Sequence, residues 1–383
     1  MRKLQQAKVN NKRVLVRVDF NVPLKGGRVA DDSRILYSIP TIKWLLEKKA
    51  ASIILASHLG RPGGKPNKAL SLRPVAKHLS KLLKMRVSFS PKEPGEEKLC
   101  LLENLRFHPV ERKDSARFAK KLASYADLYV NDAFAASHRK AASVHAITRY
   151  LPSYAGLLLQ KEVRELSKLT RKPKRPYVAI MGGAKVSDKI DFVQSILEKA
   201  DKALIGGAIA LTFIAAQGYD VGRSLFEKEK TRLAKKFLKK HADKILLPID
   251  FRVKTPRGTI ITSAEDIPKY GKGLDIGPRT ERAFETQIRK AKTILWNGPM
   301  GLFENPSYRK GTAAIAKAIT RNRGTTIAGG GDTLAAISKL GLTGKFTHVS
   351  TGGGAMLQFL SGKKLPGLEA LKHGPDKNKS KFK

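Results

Sequence analysis

One arrangement recurs about ten times along this 383-residue chain, and it constrains the fold more than any other feature. A short β-branched or aliphatic run ends, and a polar or glycine-rich cluster begins at once. "VLVRV" leads into "DFN", "SIILA" into "SHLGR", "LCLLE" into "NLRF" and "DLYV" into "NDAFAASHR". Further on, "YVAIM" leads into "GGAK", "KALI" into "GGAIA", "KILLPI" into "DF", "TILW" into "NGPMG", "TTIA" into "GGGDT" and "THVS" into "TGGGA". Between them lie stretches such as "RILYSIPTIKWLLEKK" and "KIDFVQSILEKA", with apolar residues spaced by three and four. Short buried strands alternating with amphipathic helices make an α/β fold of parallel sheets covered by helices on both faces. Ligands of such sheets bind beyond the carboxyl ends of the strands, where these clusters fall.

The two halves differ in chemistry. Up to about residue 150 the clusters carry Arg34, His58, Arg61, Arg106 and Arg139, and beyond 177 they carry glycines at 182–183, 206–207, 329–331 and 352–354. Arginine forks suit a small, multiply charged acid or phosphate. Glycine runs let backbone N–H groups approach a nucleotide and its phosphates. The helical stretch "GLLLQKEVRELSKL" (156–169), followed by "TRKPKRP", marks a domain boundary. The expected organisation is two Rossmann-like domains, 1–165 for an anionic small molecule and 166–365 for a nucleotide, facing each other across a hinged cleft.

Charge raises a rival reading. Lys+Arg is 75 against 32 Asp+Glu, a net +43, and such a field attracts any polyanion. Short basic clusters occur at "RKPKRP" (171–176), at "AKKFLKKHADK" (234–244) and in the tail, but the basic residues are spread along the whole chain. No RNP motif, zinc-finger spacing or interleaved aromatic pattern accompanies them, so an enzyme surface is favoured over RNA or DNA binding. The single cysteine, Cys100, excludes an internal disulfide framework and a cysteine-cluster metal site. The amino-terminal stretch has no apolar signal core, and the mostly apolar "ALIGGAIALTFIAA" has only 14 residues. The expectation is a cytoplasmic protein with no membrane partner. A dehydrogenase of the NAD type is disfavoured, because no G-x-G-x-x-G follows the first strand of either half.

The stretch "YVAIMGGAKVSDKI" (177–190) has the character of a phosphate loop without the P-loop pattern. With it, "VLVRVDFNVPL", "SHLGRP", "LLENLRF", "VNDAFAASHR", "GLDIGP", "WNGPMGLFE", "AGGGDT", "HVSTGGGA" and "GKKLPGLEAL" occur in series across nearly the whole length. On these motifs the chain closely resembles the phosphoglycerate kinase family. The resemblance implies reversible phosphoryl transfer between 1,3-bisphosphoglycerate and Mg-ADP, giving 3-phosphoglycerate and Mg-ATP in glycolysis and gluconeogenesis, by a monomer that closes about a hinge. Asp19, Asn21, Arg34, His58, Arg61, Arg106 and Arg139 would hold the phosphoglycerate. Gly183, Ala184, Lys185 and Lys189 would meet the nucleotide phosphates, with Asp188 near the metal in some states. Gly206, Gly207, Gly273 and Leu274 would flank the adenine, and Asn297 would lie near the triphosphate. Glu304 would bind the ribose. Gly330, Gly331 and Thr333 would contact phosphate, and Asp332 would ligate Mg²⁺. Arg34, Lys185 and Gly353, the last with Gly352 and Gly354, would serve the transferred group. The tail, 366–383, would return to the first domain, its basic end disordered.

Such a reaction needs no protein nucleophile or general base, because the attacking oxygen is already ionised. It needs in-line placement, with cations and N–H donors around the moving oxygens. Taken singly, Asp19 and Asn21 could merely end a strand, and His58 could be a satisfied loop histidine. Beside Arg61, His58 is read as part of a cationic clamp. The chain departs from the family pattern at Ala208, Ile209, Met356 and Gln358, and the loop around 255–270 is expected to be trimmed.

Overall fold

The computed structural model describes residues 1–372. The expected disorder of the basic tail, 373–383, and the side chain of Asp188 lie outside the described residues. The chain divides into two compact units, Met1–Arg164 together with the segment from Lys364 onward, and Glu165–Lys363. The division falls within the helix Leu157–Thr170.

The first unit is built on a six-stranded sheet in which every neighbouring pair is parallel. Arg13–Arg17 lies inside it. Ser52–Ala56, Leu99–Leu102 and Ser88–Ser90 extend the sheet to one side, Leu128–Asn131 and Ser153–Ala155 to the other. The four longest of these strands bury nearly every side chain, as parallel strands covered on both faces must. Helices such as Ser33–Glu47 and Arg73–Leu83 lay Ile35, Ile42, Leu45, Val75 and Leu79 against Val14, Val16, Ile53 and Leu55. The chain reverses its progress across the sheet at Arg13–Arg17, so the switch point lies between Arg17, Ala56 and Asn131. From Lys364 the chain joins this unit, where the Gly367 N–H donates to the Ser137 carbonyl at 2.9 Å.

The second unit repeats the plan. Tyr177–Met181 lies inside another all-parallel sheet, with Lys202–Ile205 and Ile245–Leu246 on one side and Thr293–Asn297, Thr325–Gly329 and His348–Ser350 on the other. All ten runs read as strands form strands. "KILLPI" keeps only Ile245–Leu246, because Pro248 cannot donate to a ladder. Two edge strands, Ser88–Ser90 and Ser153–Ala155, went unread because "SFS" and "SYA" carry no apolar run. Residues 255–270, read as a trimmed loop, fall in a three-stranded antiparallel sheet of Asp250–Thr255, Gly258–Ser263 and Lys272–Ile276. Its first two strands are joined tightly through Pro256 and Arg257, with Gly258 at φ 120° closing the turn. Among the described residues, no helix is long and apolar enough to cross a membrane.

Candidate active site

At the carboxyl edge of the first sheet, arginines gather around a buried histidine. His58 follows Ser52–Ala56 and is 5% exposed. Its Nδ1 lies 2.9 Å from Nη2 of Arg17, which can only donate, so the imidazole proton sits on Nε2. Burial, and then the charges of Arg17, Arg106, Arg34 and Arg139, push its pKa well below the ordinary value. His58 is therefore a neutral donor, which corrects its reading as part of a cationic clamp. Arg34 pairs with Asp19, whose other oxygen, Oδ1, is buried without a partner among the described residues. The Asn21 side-chain Oδ1 accepts the Gly60 N–H at 2.8 Å, and Arg106 donates to the Gly60 carbonyl at 2.7 Å. Burial, Arg17 and Arg139 together lower Arg106 to about 10. Like charges pressed together this strongly favour a multiply charged anion. Arg139 is exposed and donates from Nε to His138 at 2.9 Å. Arg61 is exposed and makes no hydrogen bond or ion pair among the described residues.

Arg17, inside the first strand, is the residue the sequence reading missed here. It is 2% exposed and donates from Nε to Ser143 Oγ at 2.9 Å and from Nη1 to the Val18 carbonyl. The Ser143 hydroxyl in turn donates to Glu111 Oε1 at 2.6 Å. Glu111 is fully buried, and burial raises its pKa while Arg17 opposes the rise. This chain fixes the tautomer of His58 and the floor under the exposed arginines. The signal was an arginine within "VLVRV", a run otherwise destined for the core.

The carboxyl edge of the second sheet is built differently. A cleft of about 190 Å³ opens there, lined by Gly183, Ala184, Gly207, Ala208, Gly273, Leu274, Glu304 and Asp332 among others. Leu225 and Leu302, 60% and 45% exposed, present bare aliphatic surface to it, which suits a flat apolar ring. The glycines mainly let three loops interlock. Gly207 has φ 62°, and a Cβ there would lie 2.7 Å from the Gly183 nitrogen; a Cβ on Gly298 would strike the Gly182 carbonyl. The N–H groups of Gly182, Gly183, Gly206 and Gly207 donate to Asn297, Pro299, Met181 and Met300 carbonyls. These four amides are thus spent on the fold, among them that of Gly183, expected at the phosphates, and those of Gly206 and Gly207, expected beside the adenine. Gly206 packs on Met300 and does not line the cleft.

Other expected contacts divide similarly. Thr333 is buried, and its hydroxyl accepts the Gly298 N–H at 2.7 Å, so its side chain is committed to the loop. Asn297 is buried and donates to the Gly329 carbonyl at 2.7 Å, and its Oδ1 has no partner among the described residues. Gly330, at φ 102°, caps the helix Gly331–Lys339, with Asp332 exposed in its first turn. Lys189 donates to the Gly182 carbonyl at 3.0 Å, whereas Lys185 is exposed and makes no such bond. Gly353, at φ 47°, caps Gly354–Leu360, and the Gly352 N–H is already held by Ser350 Oγ at 3.1 Å. Ile209 and Met356 are fully buried, so these departures from the family pattern lie in the core, while Ala208 faces the cleft.

Two carboxylates behind this edge also went unread. Glu227 accepts the Val186 and Ser187 N–H groups and the Ser187 hydroxyl, holding the loop after Lys185. Asp275, in "GLDIGP", accepts the Gly311 N–H at 2.8 Å and stands against Gly301 on the cleft wall. Burial raises it to about 7.

The comparisons agree with this geometry. Residues 4–363 match the family model for phosphoglycerate kinase. A curated phosphoglycerate kinase of Moorella thermoacetica is 48% identical over 390 aligned residues, covering 96% of this chain and 98% of that protein. Another, from Koribacter versatilis, is 49% identical with the same coverage. The solved structure of phosphoglycerate kinase from Coxiella burnetii superposes with a TM-score of 0.87 at 39% identity, covering 97% of this chain and 98% of that one. That from Pyrococcus horikoshii also gives 0.87, at 33% identity and the same coverage. With the arginine-rich edge, the glycine-interlocked cleft and the full-length match in agreement, the chain belongs to the phosphoglycerate kinase family.

Proposed function

We propose that the two sheet edges divide the substrates of the phosphoglycerate kinase reaction between them. The first edge holds 3-phosphoglycerate or 1,3-bisphosphoglycerate, and the cleft of the second holds ADP or ATP. The observation that carries this reading is the set of four arginines, Arg17, Arg34, Arg106 and Arg139, gathered around His58, against which, among the described residues, only Asp19 and the buried Glu111 are set, a balance that favours an anion of several charges. Asn21, Arg34, Arg61, Arg106 and Arg139 bind the acid, His58 adds the donor at Nε2, and Asp19 steadies Arg34. In the cleft, Leu225, Leu302, Gly207, Gly273 and Leu274 enclose the base, and Glu304 accepts from the ribose. Ala184, Lys185, Lys189 and the first-turn amides of Gly331 and Asp332 meet the phosphates. Gly183, Gly206, Asn297, Gly330 and Thr333 act by shaping these loops.

Arg34, Lys185 and the Gly353 amide stabilise charge on the transferring phosphoryl. Lys185 and Gly353 fit this role because neither donor is engaged among the described residues. The residues also suit Mg²⁺. Among the described residues no three His, Cys, Asp or Glu side chains cluster, and Asp332 offers one exposed carboxylate on the cleft wall. That is the donor set of an ion held by one carboxylate, phosphate oxygens and water. Bound there, Mg²⁺ supplies neutralisation of the phosphate oxygens. A coupled assay with 3-phosphoglycerate and Mg-ATP tests the proposal. Turnover is expected, and its absence from folded protein would overturn it.

A further inference from the structure

The amino-terminal edge of the second sheet carries its own cavity, of about 420 Å³, larger than the cleft at the catalytic edge. It opens where the helix Pro278–Lys290 turns into the strand Thr293–Asn297, and where Lys310–Arg321 turns into Thr325–Gly329. Arg289, Lys292, Arg321 and Arg323 line it, against one acid, Glu285. Glu285 lies 3.7 Å from Arg321, and both are largely exposed. The other three cations have no acidic partner among the described residues.

Two helices end at this cavity, and their carbonyls could explain a basic lining. The geometry argues otherwise. Asn322 meets carbonyls at both ends, donating from Nδ2 to Ile288 at 2.7 Å and Ala291 at 3.0 Å after the first helix and from its backbone N–H to Ile319 at 3.1 Å in the second, while its Oδ1 accepts the Gly324 N–H at 2.6 Å. The cations are thus not consumed as caps. Each helix terminus contributes about half a negative charge. Set with Glu285 against four cations, this leaves about two positive charges facing the cavity. The basic segment "RKPKRP" runs alongside, since the Lys292 N–H donates to the Pro176 carbonyl at 2.9 Å and the Thr293 hydroxyl to the Lys174 carbonyl at 2.7 Å. Lys172 and Lys174 are exposed there and unpaired among the described residues.

We propose that this cavity is a second anion site, distinct from the catalytic edge, that takes an inorganic oligophosphate. Its lining offers guanidinium forks and an ammonium for phosphate oxygens, and no aromatic ring on which a base could stack. That favours a bare phosphate chain over single-stranded nucleic acid. "RKPKRP", which the transfer reaction leaves unused, lengthens the basic track beyond the cavity mouth.

The test is calorimetric titration of tripolyphosphate into protein already saturated with 3-phosphoglycerate and ADP, in metal-free buffer. One site is expected to remain. In the Arg289→Gln/Arg323→Gln double variant its affinity should fall at least tenfold, with kcat within twofold of the parent. Loss of all binding on saturation with substrates, or unchanged binding by the double variant, would overturn the proposal. So would tighter binding of a charge-matched single-stranded RNA at the same residues. Should the double variant fail to fold, Lys292→Gln alone decides: a threefold weakening supports the site, and unchanged affinity refutes it.

Discussion

In the proposed function the two carboxyl edges hold their polyanions with opposite materials. The first uses long side chains. Arg34, Arg106 and Arg139 stand over a buried layer in which Arg17, Ser143 and Glu111 link to His58. The second uses the main chain, with glycines chosen for the loops they let interlock and few charges at the surface of the cleft. A compact acid presents mostly charge, so forks and ammonium groups recognise it. A nucleotide presents an apolar ring beside its phosphates, so it needs bare aliphatic walls and closely approaching backbone. The difference teaches that glycine after a strand is evidence for close loop packing first and for phosphate amides second.

The comparison breaks most visibly at the transferred group. Arg34→Ala and Lys185→Ala, one from each edge, are each expected to lower kcat by about 10²–10³-fold, the usual loss on removing a transition-state donor. Substrate affinities should change far less; steady-state kinetics that showed raised KM with unchanged kcat would remove both residues from this role. Next come the glycines. Gly298→Ala should cost about 3 kcal/mol in urea unfolding, from a Cβ forced onto the Gly182 carbonyl at φ 97°. Gly331→Ala meets nothing within 4 Å, so it should leave stability within about 1 kcal/mol yet raise KM for nucleotide. Equal destabilisation by the two would contradict the division between packing and ligand glycines.

A smaller effect comes from Asp275. Its folded pKa, about 7, lies above the ordinary 3.8, so the folded state binds the extra proton between these values. Its contribution to stability is therefore fully present below about pH 4 and is lost as pH rises through 7. Relative to Asp275→Asn, the parent should lose stability steadily across that window. Parallel stability curves for the two would show that Asp275 is already ionised in the fold. The smallest change expected is from Gln358→Glu. It restores the family's usual residue at a half-buried position whose side chain makes no hydrogen bond among the described residues, and kcat should move by no more than about twofold.

Much of this was legible in the sequence because it is local. An apolar run followed by a polar cluster announces both a strand and its ligand-facing end, so the ten strands and the cations of the first edge could be read directly. The supporting layer could not. Arg17 meets Ser143 across 126 positions, and nothing near Ser143 or Glu111 advertises the contact. Leu225 carries no motif, and Glu227 reaches back 40 residues to Ser187. Even the glycines were legible only in part, because a sequence shows where backbone can come close and not which atoms it meets.

The division of substrates is tested most directly by calorimetry on two variants with two ligands. Arg106→Ala should abolish measurable binding of 3-phosphoglycerate and leave Mg-ADP affinity within about twofold. Glu304→Ala should weaken Mg-ADP about tenfold, the worth of one lost charged hydrogen bond, and leave 3-phosphoglycerate untouched. If each variant weakens both ligands alike, or if Arg106→Ala binds 3-phosphoglycerate as the parent does, the two edges do not divide the substrates in this way.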